Sequence, residues 1–166
     1  TILNVVPSVN ITFPTGGETL SGTIAVTWTA SDPASADNPL SITVNYSSDN
    51  GGSWNTIGVD ALNTGTMNFD TTTVTDGNQF LFRVTANDDD SSNISTSALV
   101  TVDNTAPTTI GVAAAPNPVV SGNNVTLTAN TYDSFAVAGT QVSIIKNNSV
   151  LTTLAMNAAD GAFDEA

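Results

Sequence analysis

The chain contains neither cysteine nor histidine in its 166 residues. Without cysteine there is no disulfide, no thiolate metal site and no thiol nucleophile. Without histidine it lacks both the commonest general base and the commonest transition-metal ligand. Basic residues are almost missing: Arg83 and Lys146 stand against 15 acidic residues, for a net charge of −13. Nucleic-acid phosphates and anionic membrane surfaces are held by Lys and Arg, so neither is an expected partner. No apolar run approaches the ~20 residues that span a bilayer, so this segment is not expected to insert in a membrane. No signal peptide is visible; an exported protein would here be numbered from after cleavage or from inside a longer chain. Phosphate-cradling glycine loops and recognisable Ser–Lys pairs are lacking too. Paired carboxylates for glycoside hydrolysis exist on numbers alone, with nothing to set them in a cleft. No catalytic residue and no enzymatic activity are therefore expected.

What the chain has in abundance is Thr (27), Asn (19) and Ser (16). Thr favours strands, while Asn, Ser and Gly favour turns. Few charges and many hydroxyls and amides suit an extracellular β protein. Alternation of period two recurs along the first hundred residues. Val9, Ile11 and Phe13 form one stripe; Ile24, Val26, Trp28 and Ala30 a second; Leu40, Ile42, Val44 and Tyr46 a third. Asp49-Asn50-Gly51-Gly52 is a hairpin signal, with Ser53–Ile57 returning from it. Thr66–Phe69, then Phe80, Phe82 and Val84, then Ala98, Val100 and Val102 complete the set. About seven short strands without helical periodicity predict an all-β, immunoglobulin-like sandwich over residues 7–103.

The pattern then restarts. Val26-Thr-Trp-Thr-Ala30 and Val125-Thr-Leu-Thr-Ala129 repeat at an offset of 99, each after a Ser-Gly pair and each before a polar loop with an aspartate. An internal repeat outranks local readings. It predicts two tandem immunoglobulin-like domains, with residues 104–106 as a short linker and 107–166 as the first half of a second sandwich. The first copy has 97 residues and the second 60, so the second is incomplete within this chain. Open strand edges and an uncovered apolar face follow. A fragment of a longer protein, a rearranged smaller sheet, or strands supplied by another molecule would each account for this. The combination favoured is a fragment with intermolecular strand pairing. Thr1, Ile2, Leu3, Asn4, Val5 and Val6, an extended segment ended by Pro7, are the candidate donor strand, although one strand does not replace three.

Asn68-Phe-Asp-Thr-Thr-Thr-Val-Thr-Asp-Gly77, Phe80-Leu-Phe-Arg-Val-Thr-Ala86 and Val100-Thr-Val-Asp-Asn-Thr-Ala-Pro107 resemble tandem Ig-like modules of archaeal and bacterial surface proteins. Pro116-Asn-Pro-Val-Val-Ser-Gly122 with Val125–Ala129, and Asp160-Gly-Ala-Phe-Asp164, resemble the first half of a related module. The resemblance implies an extracellular or cell-surface address, in surface layers, pili, other filaments or adhesins, or as spacers in secreted enzymes. The second copy departs from it by stopping after Phe163-Asp-Glu-Ala166, where such modules continue into their last strands.

Candidate sites are few. Asp32 and Asp37 in one loop, and Asp88, Asp89 and Asp90 in another, fall at the same pole of such a sandwich; calcium, with six to eight oxygen ligands, is the cation they would suit. Asp103 and Asn104 at the joint, with Asp133 from the loop facing it, form a second candidate cation site. No cofactor is required. Asn-x-Ser/Thr sequons occur at Asn10, Asn45, Asn93, Asn124 and Asn147, a count that chance alone supplies in so Asn-, Ser- and Thr-rich a chain. Asn10, Asn45 and Asn124 fall on the polar sides of their strands, where glycans have room. Trp28 reads as core and Trp54 as partly exposed. The expectation is a structural filament or surface-layer subunit whose partners are copies of itself, a homopolymer. The alternative is a spacer or binding module of a secreted enzyme or adhesin.

Overall fold

The fold comes from a computed structural model, and the structure describes residues 4–33, 40–60, 62–117, 120–135, 137, 139–146 and 148–156. It is all-β, and the chain divides into two compact units, Thr1–Asn104 and Thr105–Ala166.

Unit 1 begins with β1 (Ser8–Phe13), β2 (Thr19–Leu20) and β3 (Thr23–Ser31), followed by β4 (Ser41–Ser47) and β5 (Asn55–Asp60). β6 (Thr66–Asp70) runs into a 3-10 turn at Thr71–Thr73; β7 (Gly77–Asn87), β8 (Ser92–Thr96) and β9 (Val100–Val102) follow. One sheet has the order β1-β3-β6, all antiparallel. The other has the order β2-β9-β7-β4-β5, with β8 also paired to β7. Alternation explains which faces meet. Ile11, Val26, Trp28 and Phe69 from the first sheet pack with Ile42, Val44, Phe80, Phe82, Val84 and Val102 from the second. The Phe69 and Phe82 rings meet edge to face, with centroids 5.8 Å apart, and Tyr46 lies 4.8 Å from Phe69. Aromatic pairs at these separations add to the roughly 1.5–3 kcal/mol that burying each large apolar side chain contributes. The result is sandwich-like: two sheets closed on one core.

β7, the longest strand, is the centre of that core. Phe80, Phe82, Val84 and Ala86 are buried while Leu81, Arg83 and Thr85 alternate outward. Its partner on one side changes along its length: β9 pairs with the Gly77–Phe80 end and β8 with Arg83–Asn87. A continuous final strand with Ala98 inward is therefore not what forms. The chain breaks between β8 and β9, Ala98 is exposed, and Ser97 is buried in its place. Ser97 explains the break. Its hydroxyl accepts from the Phe82 N–H at 2.9 Å and its own N–H donates to the Phe82 carbonyl, a connection that only a residue turned toward β7 can make. Ala98 instead donates to the Thr15 carbonyl and lies so near Gly16 that a Cβ there would sit 2.5 Å from the alanine methyl. Gly16, at φ +135°, meets a requirement for glycine.

β2 and β9 pair in parallel, the exception among the described ladders. Asn104 then fastens the end of β9. Its Oδ1 accepts from the Gly22 N–H and the Thr71 hydroxyl, and its Nδ2 donates to the Thr71 carbonyl and to Asp76 Oδ1. Asn104 is thus the last structural residue of unit 1 rather than the first of a linker.

Unit 2 contains β10 (Thr108–Ala115), β11 (Thr126–Tyr132), β12 (Thr140–Lys146) and β13 (Ser149–Met156). β10 pairs with β11, and β12 with β13, as two separate antiparallel ladders. The repeat is visible here. First strand on second and third on fourth reproduce the β1–β3 and β4–β5 pairings of unit 1, and β12 begins 99 residues after β4. Among the described residues, nothing occupies the edges of β11 and β12 that β6 and β7 fill beside β3 and β4.

Candidate functional site

Two sets of features compete as the functional surface: the acidic loops of unit 1 and the open ladders of unit 2.

The carboxylates of unit 1 are turned onto their own loops. Asp49 Oδ1 accepts from the Ser47 hydroxyl at 2.7 Å and the Ser53 N–H at 2.8 Å, and Oδ2 from the Ser53 hydroxyl. These bonds, Ser47's above all, hold its carboxyl down to about 2. Asp60 repeats the device four residues before Thr64, accepting from its hydroxyl and its N–H, and its carboxyl is likewise lowered. Burial pushes the Glu18 carboxyl up, but donors from Thr15 and Gly16 outweigh it and the net direction is down.

Asp88 is the most telling case. It is buried, which raises its carboxyl pKa, yet donors from Ser91, Asp90 and Asn4 lower it overall. Asp88 Oδ1 accepts from the N–H groups of Asp90 and Ser91, at 3.0 and 2.6 Å. The N–H dipoles that satisfy a carboxylate in this way point their positive ends where a cation would have to approach. The described members of the expected calcium site differ in their exposure. Asp32 is partly exposed, Asp88 faces inward, Asp89 and Asp90 are exposed, and Asp37 lies outside the described residues. Among the described residues no three acidic side chains gather into a group able to hold a metal ion. At the joint, Asp103 donates its N–H to the Leu20 carbonyl and Asn104 is committed to Thr71, Gly22 and Asp76. Asp133, in unit 2, is buried; Oδ1 accepts from the Phe135 N–H at 3.2 Å and Oδ2 has no hydrogen-bond partner among the described residues.

The sequon asparagines separate. Asn10 is exposed on β1, and Asn124 is exposed just ahead of β11 rather than on it. Asn93 is exposed but donates Nδ2 to the Pro7 carbonyl. Asn45 corrects the expectation. It lies on the outward side of β4, yet it is only 7% exposed and donates Nδ2 to Thr56 Oγ1 on β5. That amide nitrogen has no room for a glycan. Asn147 lies outside the described residues. Trp28 is core, its Nε1 donating to Asn63 Oδ1; Trp54 is half-buried beneath the Arg83 guanidinium, 4.1 Å from the ring centre.

Of the candidate donor segment, Thr1, Ile2 and Leu3 lie outside the described residues. Asn4, Val5 and Val6 are exposed and form no strand; Asn4 Nδ2 donates to Ser91 Oγ at 3.0 Å. A hollow lined by Ser8, Val9, Asn10, Thr29, Ala30 and Ser31 has a volume of about 160 Å³ and holds no titratable group.

Unit 2 presents the opposite picture to the self-satisfied loops. All eight residues of β10 are exposed, Ile110 and Val112 included. Val150, Leu151 and Leu154 on β13 and Ile144 and Ile145 on β12 are also exposed. The β12–β13 ladder is two-faced: Val142 stands opposite Leu154 and Thr140 opposite Met156, whereas Gln141 faces Ala155 and Ser143 faces Thr153, their hydroxyls 3.1 Å apart. Among the described residues, Val137 is the buried hydrophobic of unit 2; the rest lie in unit 1.

No protein-family model and no curated protein matches the chain. Among solved structures it is similar to an endo-β-1,4-mannanase from Thermotoga petrophila, at 17% identity and a TM-score of 0.44, over 60% of this chain. The chain spans about a fifth of that protein, 20% of its chain. So loose a likeness bears on neither activity nor assembly. No helix among the described residues is long and apolar enough to cross a membrane.

Proposed function

We propose that this chain is a structural segment of an extracellular filament, pilus or surface layer, built of immunoglobulin-like modules whose copies join by β-strand pairing. Donation of the Thr1–Val6 strand is one route to that pairing. The observation that supports the reading is the contrast between the units. Unit 1 encloses an apolar core between two sheets, whereas the described residues of unit 2 form two separate two-stranded ladders with exposed apolar side chains. A lone two-stranded ladder is marginal in water, and three or more strands with a shared apolar face are needed for stability. In this reading the copies of the chain complete one another, no metal or cofactor takes part, and no reaction is catalysed.

The experiment is sedimentation and electron microscopy of the purified chain over a range of concentrations. Assembled species that grow with concentration, and shrink when residues 1–6 are removed, are expected. A monomer whose unit 2 shows slow amide exchange at every concentration would sink the reading and leave a spacer or binding module of a secreted enzyme or adhesin in its place.

A further inference from the structure

The chain has 15 acidic residues, yet β4, β7 and β8 contain none. On β5 the one acid, Asp60, ends the strand, and its carboxylate takes the Thr64 hydroxyl. The outer face of these four strands carries instead Arg83, the one basic residue of unit 1, between Asn45 of β4 and Thr96 of β8. The guanidinium lies over the Trp54 ring, and its Nε is enclosed without a hydrogen-bond partner. Among the described residues no carboxylate pairs with it. A guanidinium already settled on an indole ring has little rotamer freedom left to lose when a carboxylate reaches it.

The complementary charge is Asp90. Glu18, Asp49, Asp60, Asp70 and Asp88 are held by donors of their own turns. Asp90, in the turn from β7 to β8, is exposed; its N–H goes to Asp88, and its carboxylate takes no hydrogen bond from the described residues. Arg83 and Asp90 do not meet within one chain. Arg83 to Asn87 spans about 13 Å of strand, and Asp90 lies beyond Asn87. The Trp54 ring draws the guanidinium the other way, toward the Leu81 end of β7, since Gly51 approaches both Trp54 and Leu81.

We propose that this outer face is a docking surface for the same face of a second copy, packed about a two-fold axis so that Arg83 of each copy meets Asp90 of the other. The proposal rests on the assembly reading above and adds a face contact to its strand pairing. Both charges belong to unit 1, whose sheets are already closed on a core. An axis lying between the faces and across the strands stacks β7 on β7 antiparallel, and carries the β7–β8 turn of each copy over the Leu81 end of the other. The lean of Arg83 toward Leu81 is then a lean toward the incoming turn. With Thr85 on the axis, Thr43, Val59 and Ile94 share its rung, and the exposed Val59 and Ile94 meet their own counterparts. A chain carrying −13 repels its copies, and an acid-free face is where unit 1 opposes that approach least. A pair enclosed in the contact is screened by salt less than the exposed charges elsewhere, so added salt still favours assembly.

The test is charge reversal in the full chain. Arg83→Glu and Asp90→Arg, each with its fold confirmed by circular dichroism, are sedimented where the unaltered chain assembles. Each alone sets like charges against each other, and is expected to need at least tenfold more protein to reach the same assembled fraction. In an equimolar mixture of the two, opposite charges face each other again at both contacts, and assembly is expected to return to that of the unaltered chain. Ile94→Asp, at an exposed position on the axis, is expected to show the same tenfold loss, and decides the matter if Arg83→Glu does not fold. Variants that assemble as the unaltered chain does, or a mixture no better than its components, overturn this contact and leave the assembly reading standing. An unaltered chain that stays monomeric at every concentration overturns both.

Discussion

At the scale of single residues, acidic side chains act as locks on turns. Asp49 and Asp60 each receive both the N–H and the hydroxyl of the Ser or Thr four residues on. A neutral Asn lacks the second full acceptor oxygen, and a protonated Asp loses charge-assisted bonds. Because the folded Asp49 carboxyl titrates near 2, below its unfolded value of about 4, its contribution is complete above pH ~4 and is lost as pH falls from there toward 2. Asp49→Asn is therefore expected to lower the urea midpoint at pH 7, with the difference from the unaltered protein closing as the pH is lowered; paired urea titrations at several pH values check this. The Asp-x-x-x-Ser/Thr spacing was a readable sign of these locks, and Asp88, one of the acids expected at a cation site, is likewise met by local donors from Asp90 and Ser91. Asn45 shows the limit of such reading. Strand parity tells which way a side chain leaves the sheet, not whether its neighbour on β5 covers it.

At the scale of elements, the strands with the clearest alternation were the most legible. β3, β4 and β7 bury the residues whose period-two pattern marks them, because each is an inner strand with one face on the core. Phe82 sits at the middle of β7, fully buried and packed edge to face on Phe69. Phe82→Ala should destabilise unit 1 by about 3–5 kcal/mol, the cost of a large cavity in a closed core, read from urea unfolding followed by tryptophan fluorescence. A loss under 1 kcal/mol would mean that the two sheets close on each other less tightly than their ring contacts imply. The break between β8 and β9 was not legible. Ala98 has the apolar character and the spacing of an inward residue, and only the partners of Ser97 and the close approach of Gly16 turn it out.

At the scale of the whole molecule, the chain divides into two units, with Val26–Ala30 inside β3 of the first and Thr126–Ala129 opening β11 of the second. Which strand edges of unit 2 lack a partner among the described residues is seen only in the ladders themselves. If copies assemble as proposed, charge sets the conditions under which they meet. With −13 on each copy, approach is opposed over the ~30 Å Debye length of 0.01 M salt and far less over the ~8 Å of 0.15 M. Raising the salt through that range is expected to shift the sedimentation profile to larger species. A shift to smaller species would show instead that opposite charges hold the copies together.

The parallel pairing of β2 with β9 has a mechanical consequence. The chain enters unit 1 ahead of β2 and leaves it after β9, so in a parallel pair these two points lie at opposite ends of the ribbon. A tensile load that reaches this pair therefore slides the strands lengthwise past each other, and the bonds from Thr101 to Glu18 and from Asp103 to Leu20 share it at once. An antiparallel pair pulled from its open end would instead lose its bonds singly and in sequence, like a zip. Unit 1 is thus fastened at its exit in shear.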